Sequence, residues 1–324
     1  MKKVTVIGCG AWASTVANIL ATKGYPTHII CHRQGIVDEI NNSHTRSLLD
    51  DLPLSPAIHA TLSFEEGLSN SHAIIFCVAS PYLKESCDKW LKAFDPTIPV
   101  LTLTKGILSK HELFLSDYLE KTLVGIKLST LSGPNLAKEV ALKQPTASVV
   151  ASKHADCSAL FQDLLSSDYF RVYRSNDYKG VLLGGILKNC IALAAGAIDA
   201  LEMGINTRST LITRGLQEMI RFGKHFGAEE STFYGLSGLG DLIATCSSPQ
   251  SRNYSAGFAL GLGDTFNNGS SVVEGINTVF IVHEICRKEG IDMPIIHTLY
   301  KVLNKECTVR DGIYSLMSRS LKSE

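Results

Sequence analysis

Lys188 is a lone charged side chain within a long apolar run. The segment Val181–Ile198 reads VLLGGILKNCIALAAGAI, in which Lys188 and Asn189 are the only strongly polar side chains. Burying an ammonium group without a partner is costly, so such a lysine must be paired, neutralised or directed into a polar site. The alternative is a lysine that extends its amine to the surface from a partly exposed helix. If the charge is buried, it indicates a catalytic lysine.

Two further charged residues are candidates for the same chemistry. Lys105 directly follows an apolar segment, and ligands bind beyond the carboxyl ends of strands in open α/β sheets. An exposed turn lysine is the simpler interpretation. Asp241 lies in the glycine-rich segment LSGLGDL. Its carboxylate could pair with Lys188 and hold that charge in place, or it could begin the next helix as an N-cap.

The tripeptide Ser251-Arg252-Asn253 combines a guanidinium group with neutral donors, which suits a phosphate monoester. A solvated loop with the same residues is the alternative. Because arginine also binds carboxylates, a carboxylate substrate, as in a 3-hydroxyacid dehydrogenase, is a competing interpretation. A regulator that binds a cofactor without catalysis is another, and the presence of Lys105, Lys188, Asp241 and Arg252 argues against it.

The segment Gly8-Cys9-Gly10-Ala11-Trp12-Ala13 follows the first apolar strand and opens a helix. It has the G-x-G-x-x-G/A form of the dinucleotide fingerprint. Gly8 permits the tight turn, Gly10 lets the pyrophosphate approach the backbone, and Ala13 keeps the helix close to the strand. The helix N-terminus offers amide donors and the positive end of its dipole to the phosphates.

The residues after the second strand favour NADPH over NADH. NAD-specific sites usually place an acidic residue here to bind the ribose hydroxyls. This chain has Cys31-His32-Arg33 instead, and His32 and Arg33 can contact an added 2′-phosphate. The alternative is that Arg33 lies in an exposed loop. We therefore expect NADP as the preferred cofactor, with NAD as a second possibility.

The elements that must position these residues change in character along the chain. Apolar strands alternate with helical patterns in the first half, which predicts a Rossmann-type, mainly parallel sheet covered on both faces. The predicted strands are Val4–Ile7, His28–Cys31, Ala73–Val78, Val100–Thr104, Leu128–Leu131, Ala147–Val150 and Phe170–Tyr173.

Helical patterns dominate the second half, so we predict a dinucleotide-binding domain over residues 1–176 and an all-helical substrate-binding domain over 177–324. The predicted helices of the second domain are Lys179–Leu201, Arg208–Phe226, a stretch after Asn253, Val272–Glu289 and a region from Ile295 onward, with Pro294 as an interruption. Gly184 and Gly185 are expected to let the cofactor or the sheet approach the first of them.

Composition excludes several classes of partner. Lys+Arg and Asp+Glu balance at 31 each, so no global charge favours nucleic acid or an anionic membrane. Nine scattered cysteines without CxxC pairs predict reduced thiols, no metal site and a cytoplasmic location. The N-terminus lacks a long apolar export segment, and the apolar run is interrupted by Lys188 and Asn189. No stable membrane insertion is expected, and a homodimer is an open alternative to a monomer.

Several segments together resemble one enzyme family. They are VIGCGAWA, TKG, SGPNLAKEV, FRVYRSNDYKGVLLGGILKN, LITRGLQEM, GLSGLGDLIATC, QSRN and VVEG. In order and spacing, over nearly the full length, the chain resembles bacterial NAD(P)-dependent glycerol-3-phosphate dehydrogenase. The resemblance implies interconversion of dihydroxyacetone phosphate and sn-glycerol 3-phosphate, supplying glycerol 3-phosphate for phospholipid synthesis.

The resemblance also implies roles for individual residues. Lys188 would be the proton donor and acceptor, with Lys105 and Asp241 at the reacting end. The substrate would be bound by Lys105, Gly133, Asn135, Lys188, Asp241, Ser251, Arg252 and Asn253. The cofactor would be bound by Gly8, Gly10, Ala11, Trp12, Ala13, His32, Arg33, Lys105, Ala137, Arg252, Val272 and Glu274.

Three positions depart from the family pattern. The fingerprint of the family usually reads GxGSWG, so Ala11 and Ala13 replace a serine and a glycine. Loss of the serine hydroxyl is expected to weaken one phosphate contact, whereas the G/A form of the fingerprint tolerates Ala13. Asn135 replaces a serine or threonine; it can still donate a hydrogen bond but is larger. None of these changes removes a group that carries the chemistry.

Overall fold

The computed structural model describes residues 2–79, 82–90, 94–105, 107, 115–122, 125–263 and 273–321. Its described residues form two compact units, one ending at Leu182 and the other starting at Leu183. The division falls six residues beyond the domain boundary predicted after Asn176 and lies inside a helix. The first unit carries the sheet, and the described part of the second is built from helices and turns.

An eight-stranded sheet forms the centre of the first unit, in the order β10-β9-β8-β7-β6-β1-β2-β5. A separate two-stranded ribbon joins β3 to β4. The strands are β1 Lys3–Ile7, β2 Thr27–Ile30, β3 Thr45–Arg46, β4 Leu52–Pro53, β5 Ile58–Thr61, β6 Ser71–Phe76, β7 Val100–Thr102, β8 Leu128–Ser132, β9 Thr146–Ser152 and β10 Phe170–Ser175.

The predicted mainly parallel sheet is confirmed, and all seven predicted strands are present. Neighbouring strands run parallel except β8 and β9, which pair antiparallel with Leu131 opposite Val150. The strand β5 was not predicted, because its sequence IHAT places an exposed histidine among three buried residues. It pairs with β2 at the edge of the sheet. The core strands are buried almost throughout, as expected for a sheet covered on both faces, although β8 and β9 bury serine and threonine side chains beside apolar ones.

Helices connect the strands of the first unit. Their bounds are α1 Ala11–Thr22, α2 Gln34–Asp38, α3 Phe64–Leu68, α4 Leu83–Trp90, α5 Leu115–Thr122, α6 Ala137–Ala141 and α7 Ala155–Leu165. The first helix packs eight buried residues against the core, among them Ala13, Val16 and Leu20. It starts directly after Gly10, so its first turn belongs to the fingerprint.

The remaining helices begin with a long one that starts at the end of the first unit. They are α8 Tyr178–Ala200, α9 Gly204–His225, α10 Glu230–Phe233, α11 Asp241–Cys246, α12 Arg252–Gly261, α13 Glu274–Glu289, α14 Pro294–Leu303 and α15 Val309–Met317. The predicted break before a final helical region from Ile295 onward is present, since α13 ends at Glu289 and Pro294 occupies the first turn of α14. Proline suits that position, since the first amides of a helix have no partner within it. The predicted helix start at Val272 lies outside the described residues.

Between Val181 and Ile198 the helix α8 is apolar on every side apart from Lys188 and Asn189, which is typical of a helix buried in a core. Among the described residues it alone is long and apolar enough to cross a membrane. Its apolar window is entirely buried within the protein, and a core helix satisfies the same criteria of length and hydropathy. The helix is therefore a core element of the fold.

A buried carboxylate binds the start of α14. The side chain of Glu218, on α9, is 3 % exposed and accepts hydrogen bonds from the backbone N–H groups of Ile295 at 2.6 Å and Ile296 at 3.3 Å. Burial raises the pKa of Glu218 to about 7, and the two backbone hydrogen bonds oppose that shift. The carboxyl group therefore caps the helix from a distant position in the chain.

This carboxyl group is expected to make stability fall with rising pH. Its pKa in the folded protein lies above the unfolded value, so its contribution is fully present below about pH 4.5 and is lost as the pH rises through about 7. Glu218→Gln removes the titration. Urea unfolding should show that the free energy of unfolding of the variant, relative to that of the wild type, rises by about 3 kcal/mol between pH 4.5 and 7.5.

A matched control is Glu65→Gln, which changes an exposed glutamate. Its unfolding free energy should follow that of the wild type at every pH. A constant difference between Glu218→Gln and the wild type across the range would contradict the assignment.

Candidate active site

Lys188 is buried and paired within the second unit. It is 7 % exposed, so the alternative of an amine extended to the surface is wrong. Its Nζ atom donates to Oδ1 of Asp241 and lies 2.7 Å from Oγ1 of Thr245. The Thr245 hydroxyl in turn donates to the backbone oxygen of Asp241 at 2.6 Å, which leaves its lone pairs to accept from the lysine. The predicted pairing of Lys188 with Asp241 is therefore present.

The glycine-rich segment before α11 brings Asp241 to the lysine. Residues Leu236–Gly240 form one π-helical turn, and Gly240 is the N-cap of α11. The alternative that Asp241 is the N-cap is therefore wrong, because Asp241 is the first helical residue. Its carboxylate, 1 % exposed, is directed to Lys188.

Gly184 lies on the same face of α8 as Lys188, one turn earlier. A Cβ atom at this position would overlap the backbone of Ser237 and Gly238. The expectation that Gly184 admits the cofactor or the sheet is therefore wrong, since the turn that precedes Asp241 occupies that space. The absence of a side chain here lets two backbones approach so that the ion pair forms in the core.

The predicted phosphate-binding residues lie at the start of α12. The Ser251 hydroxyl is the N-cap and accepts from the backbone N–H of Tyr254 at 3.2 Å. Arg252 is the first helical residue and is exposed. The Asn253 side chain is buried, and its Oδ1 accepts from the backbone N–H of Gly275 at 2.9 Å. The N-terminus of α12 therefore has an arginine side chain beside the free backbone N–H groups of its first turn.

Two residues predicted to contact the cofactor, Val272 and Glu274, come shortly before Gly275 in the sequence. Glu274 is the first residue of α13, directly before Gly275. The hydrogen bond from the Gly275 N–H to Asn253 thus holds the start of α13 against α12. Val272 lies outside the described residues.

The fingerprint turn in the first unit fits a dinucleotide. Gly8 has φ +115°, and a Cβ there would overlap the backbone oxygen of Cys77. No described atom lies within 4 Å of the Cβ that a side chain at Gly10 would add, so the space above Gly10 is open. Gly10 is also the N-cap of α1 and provides no side-chain acceptor for the first amides. The turn therefore leaves an exposed helix N-terminus of the kind that binds phosphate.

The other residues of the fingerprint pack inward. Ala13 is fully buried, as the G/A position requires. The Trp12 ring is partly buried and packs edge-to-face on Phe170 with 6.0 Å between ring centroids. Thr15 Oγ1 lies 2.9 Å from the backbone oxygen of Ala11 and 3.2 Å from that of Ala137. Ala11 and Ala137, both predicted to contact the cofactor, are thus brought together.

His32 and Arg33 are exposed at the end of β2, next to the fingerprint turn. Arg33 Nε donates to Nε2 of His32 at 2.9 Å, and Nδ1 of the same ring lies 3.3 Å from Sγ of Cys9. This arrangement places two basic side chains beside the turn.

The predicted substrate residues of the first unit form a second group. Lys105 Nζ donates to the backbone oxygen of Gly133 at 3.3 Å. The Asn135 side chain is partly buried, and its Oδ1 lies 2.9 Å from Oγ of Ser148. No described residue bonds the buried Nδ2 atom of Asn135. The structure therefore brings Lys105 to Gly133 and fixes the amide of Asn135 through Ser148.

Two family models match most of the chain. Residues 3–158 match the N-terminus of NAD-dependent glycerol-3-phosphate dehydrogenase, and residues 177–314 match its C-terminus. The chain belongs to the NAD-dependent glycerol-3-phosphate dehydrogenase family. The resemblance inferred from the sequence segments is therefore confirmed.

Similar proteins agree with this assignment over their full length. Glycerol-3-phosphate dehydrogenase [NAD(P)+] of Staphylococcus haemolyticus is 38 % identical, covering 100 % of both chains. The enzyme of that name numbered 1 in Lactobacillus delbrueckii subsp. bulgaricus is 39 % identical, covering 100 % of this chain and 99 % of its own. The crystal structure of glycerol-3-phosphate dehydrogenase from Coxiella burnetii is 31 % identical and superposes with a TM-score of 0.92, covering 98 % of this chain and 99 % of that one.

Two residues of the site were missed from the sequence. Thr245 contacts Lys188, and its position four residues after Asp241, on one face of a helix, was a usable signal. Ser148 lies on β9, which pairs with β8, and β8 leads into the SGPN segment that contains Asn135. This pairing brings Ser148 to Asn135. That contact depends on strand order, which the local pattern does not specify.

Proposed function

We propose that this member of the glycerol-3-phosphate dehydrogenase family reduces dihydroxyacetone phosphate to sn-glycerol 3-phosphate, and catalyses the reverse oxidation, with NADPH as the preferred cofactor. The observation that supports it best is the buried contact among Lys188, Asp241 and Thr245. A structural lysine rarely occupies such a position, since an apolar residue would fill it at lower cost. The proposed setting is cytoplasmic supply of glycerol 3-phosphate for phospholipid synthesis.

The chain has groups suited to hold the cofactor. Gly8, Gly10 and the N-terminus of α1 would hold the pyrophosphate, since their backbone N–H groups and helix dipole favour an anion. His32 and Arg33 would contact the 2′-phosphate, where an acidic residue would repel it. When bound, the nicotinamide supplies a hydride for the carbonyl carbon. Ala11, Trp12, Ala13, Ala137, Val272 and Glu274 remain predicted contacts of the cofactor.

Lys188 is proposed as the acid and base of the reaction. As negative charge develops on the carbonyl oxygen, its ammonium group donates a proton, and Lys105 contributes positive charge. The Asp241 carboxylate and the Thr245 hydroxyl orient Nζ by fixing two of its contacts. Burial strengthens the contacts of Nζ with Asp241 and Thr245, because little water competes for them.

Groups distant from the carbonyl are proposed to bind the rest of the substrate. Arg252, with Ser251 and Asn253 beside it, would hold the phosphate, and this binding energy would position the carbonyl. Gly133 and Asn135 are proposed as further substrate contacts, with the Asn135 amide held by Ser148.

The test is to follow oxidation of NADPH and of NADH by absorbance, with dihydroxyacetone phosphate as substrate. We expect turnover with both and a lower Michaelis constant for NADPH. A clear preference for NADH would overturn the cofactor proposal. Turnover of a 3-oxoacid instead of the phosphate would favour a 3-hydroxyacid dehydrogenase, and tight NADPH binding without turnover of any small ketone would favour a regulator.

Arg252→Ala is expected to raise the Michaelis constant for dihydroxyacetone phosphate by about 10- to 100-fold, because the substrate phosphate loses one or two charge-assisted hydrogen bonds. Turnover at saturation should fall much less, because the arginine is proposed to bind the phosphate and not to transfer the proton. Steady-state kinetics at fixed, saturating NADPH measure both quantities. Arg287→Ala, an exposed arginine on α13, is the matched control and should leave both unchanged. An unaltered Michaelis constant in Arg252→Ala would contradict the phosphate role.

A further inference from the structure

The sulfur of Cys9 lies among hydrogen-bond donors in the fingerprint turn. Its Sγ atom is 3.3 Å from Nδ1 of His32, and the thiol of Cys31 lies beside it. Cys9 follows β1 and Cys31 follows β2, and these parallel strands pair with Ile7 opposite Ile30. Adjacent strand ends therefore bring together two thiols that are distant in the sequence.

The hydrogen bonds identify Cys9 as the acceptor. Arginine can only donate, so the bond from Arg33 Nε at 2.9 Å makes Nε2 of His32 an acceptor. A neutral imidazole then carries its proton on the other nitrogen, and Nδ1–H donates to the Cys9 sulfur. The imidazole N–H donated to the Cys9 sulfur favours its thiolate form, which is the reactive form of cysteine.

Acidity and local charge agree with this assignment. The hydrogen bond from Cys31, together with the neighbouring His32, lowers the pKa of Cys9 to about 6 against the opposing effect of burial. The same hydrogen bond, with burial, raises the pKa of Cys31. Arg46, 2 % exposed, donates to the backbone oxygen of Cys9 at 3.0 Å and is itself paired with Glu39. The Arg46 guanidinium group thus holds the backbone of Cys9 in the turn, while its charge is balanced by Glu39.

We propose that Cys9 and Cys31 form an oxidisable thiol pair, a modification site for hydroperoxides within the dinucleotide-binding turn. The Cys9 thiolate attacks one peroxide oxygen, the O–O bond breaks, and the leaving hydroxide takes up a proton to become water. The Cys31 thiol then loses its proton, its sulfur attacks the Cys9 sulfenic acid, and the S–O bond breaks with release of a second water. Two thiols lose two electrons, and the peroxide is reduced to two waters.

The structure limits which oxidant reaches the pair. Cys9 is 4 % exposed and Cys31 is 6 % exposed, so a small oxidant such as hydrogen peroxide fits better than a bulky disulfide. The product is a disulfide between two residues that follow the ends of neighbouring paired strands.

The consequence for the cofactor rests on the proposed function. The disulfide removes the acceptor of the His32 N–H and fixes the turn that is proposed to hold the pyrophosphate. We expect the dissociation constant of NADPH to rise about tenfold, the equivalent of losing one hydrogen bond to a charged group. Reduction with dithiothreitol should restore the original affinity.

The test maps oxidation in the full chain. The protein is exposed to hydrogen peroxide without reductant, the remaining thiols are alkylated, and peptides are identified by mass spectrometry with and without reduction. We expect the Cys9–Cys31 disulfide to form before Cys157 is modified, because burial raises the pKa of that buried thiol to about 11. A Cys9 thiol that survives while Cys157 is oxidised would overturn the proposal.

Two variants separate the steps. Cys31→Ser should stop at a Cys9 sulfenic acid that dimedone traps, and Cys9→Ser should leave Cys31 as a thiol. Dimedone labelling of Cys31 in Cys9→Ser would contradict the assigned nucleophile. The wild-type peptide map remains decisive if either variant fails to fold.

NADPH fluorescence titration before and after oxidation tests the link to the cofactor. Disulfide formation with unchanged affinity would support the modification site and overturn its effect on the cofactor. Failure of the reduced protein to bind NADPH would contradict the proposed function, while the peptide map would still decide the thiol chemistry.

Discussion

Replacing Lys188 by alanine is expected to lower turnover of dihydroxyacetone phosphate by about 100- to 10,000-fold, the usual contribution of a positioned acid or base. The lysine is buried, and Asp241 and Thr245 hold its Nζ atom. No bulk water replaces such a group easily, because the surrounding helix α8 is apolar. The proposed cofactor contacts lie in other elements, so the NADPH dissociation constant should stay close to that of the wild type. Stopped-flow turnover and fluorescence titration measure the two quantities.

Two further variants separate charge from proton transfer. Lys188→Arg keeps a positive charge beside Asp241 but replaces the amine by a group that is not deprotonated in proteins. It should therefore show turnover as low as the alanine variant, with a smaller loss of stability. Lys179→Ala, at an exposed position on the same helix, should turn over normally. Near-normal turnover in Lys188→Ala would exclude the lysine as the acid and base.

The parts of the fold that could be predicted are those that depend on local patterns. The apolar strands and the segment from Gly8 to Ala13 have short-range signals, since the turn, the strand and the helix are adjacent in the sequence. The direction of β9 could not be predicted, because periodicity shows which residues are buried but not whether neighbouring strands run parallel. The short strand β5 lacks an apolar run and so gave no signal.

The site was predictable where a residue conflicted with its surroundings. Lys188 was found because a charge in an apolar helix requires an explanation. Contacts between distant segments had no such signal: Glu218 binds the start of α14, and Cys9 meets His32 only because β1 and β2 are paired. The role of Gly184 was misassigned for the same reason. A glycine shows that something approaches closely but not which segment does so.

The ion pair also links the proposed chemistry to stability. Asp241 is 1 % exposed, so its carboxylate lies in the core with the lysine. Taking both charges out of water has a large cost that their attraction only balances, and an apolar pair of similar volume is often as stable. The protein therefore keeps these charges for a purpose other than stability, which supports a role in catalysis.

Removing one partner of this pair is expected to destabilise the fold strongly. Asp241→Ala leaves the Lys188 ammonium group buried without its carboxylate, and loss of one partner of a buried pair typically costs about 3–5 kcal/mol. Urea unfolding at pH 7 measures the change. Asp292→Ala, which removes an exposed carboxylate paired with Arg319, is the control and should cost less than about 1 kcal/mol.

The double variant Lys188→Met, Asp241→Ala tests whether the stranded charge causes that loss. With both charges removed, no uncompensated ion remains in the core, and the double variant should be more stable than Asp241→Ala alone even though it carries one more substitution. The coupling energy from the four unfolding curves should exceed about 2 kcal/mol, near the upper part of the range for contacting residues. A double variant less stable than Asp241→Ala would show that the carboxylate stabilises α11 through its other contacts, such as that with Thr245, and not by balancing the lysine. If the double variant recovers stability but not turnover, the structural and catalytic roles of the pair are separate. The methionine can pack in the apolar core, but it has no proton to donate.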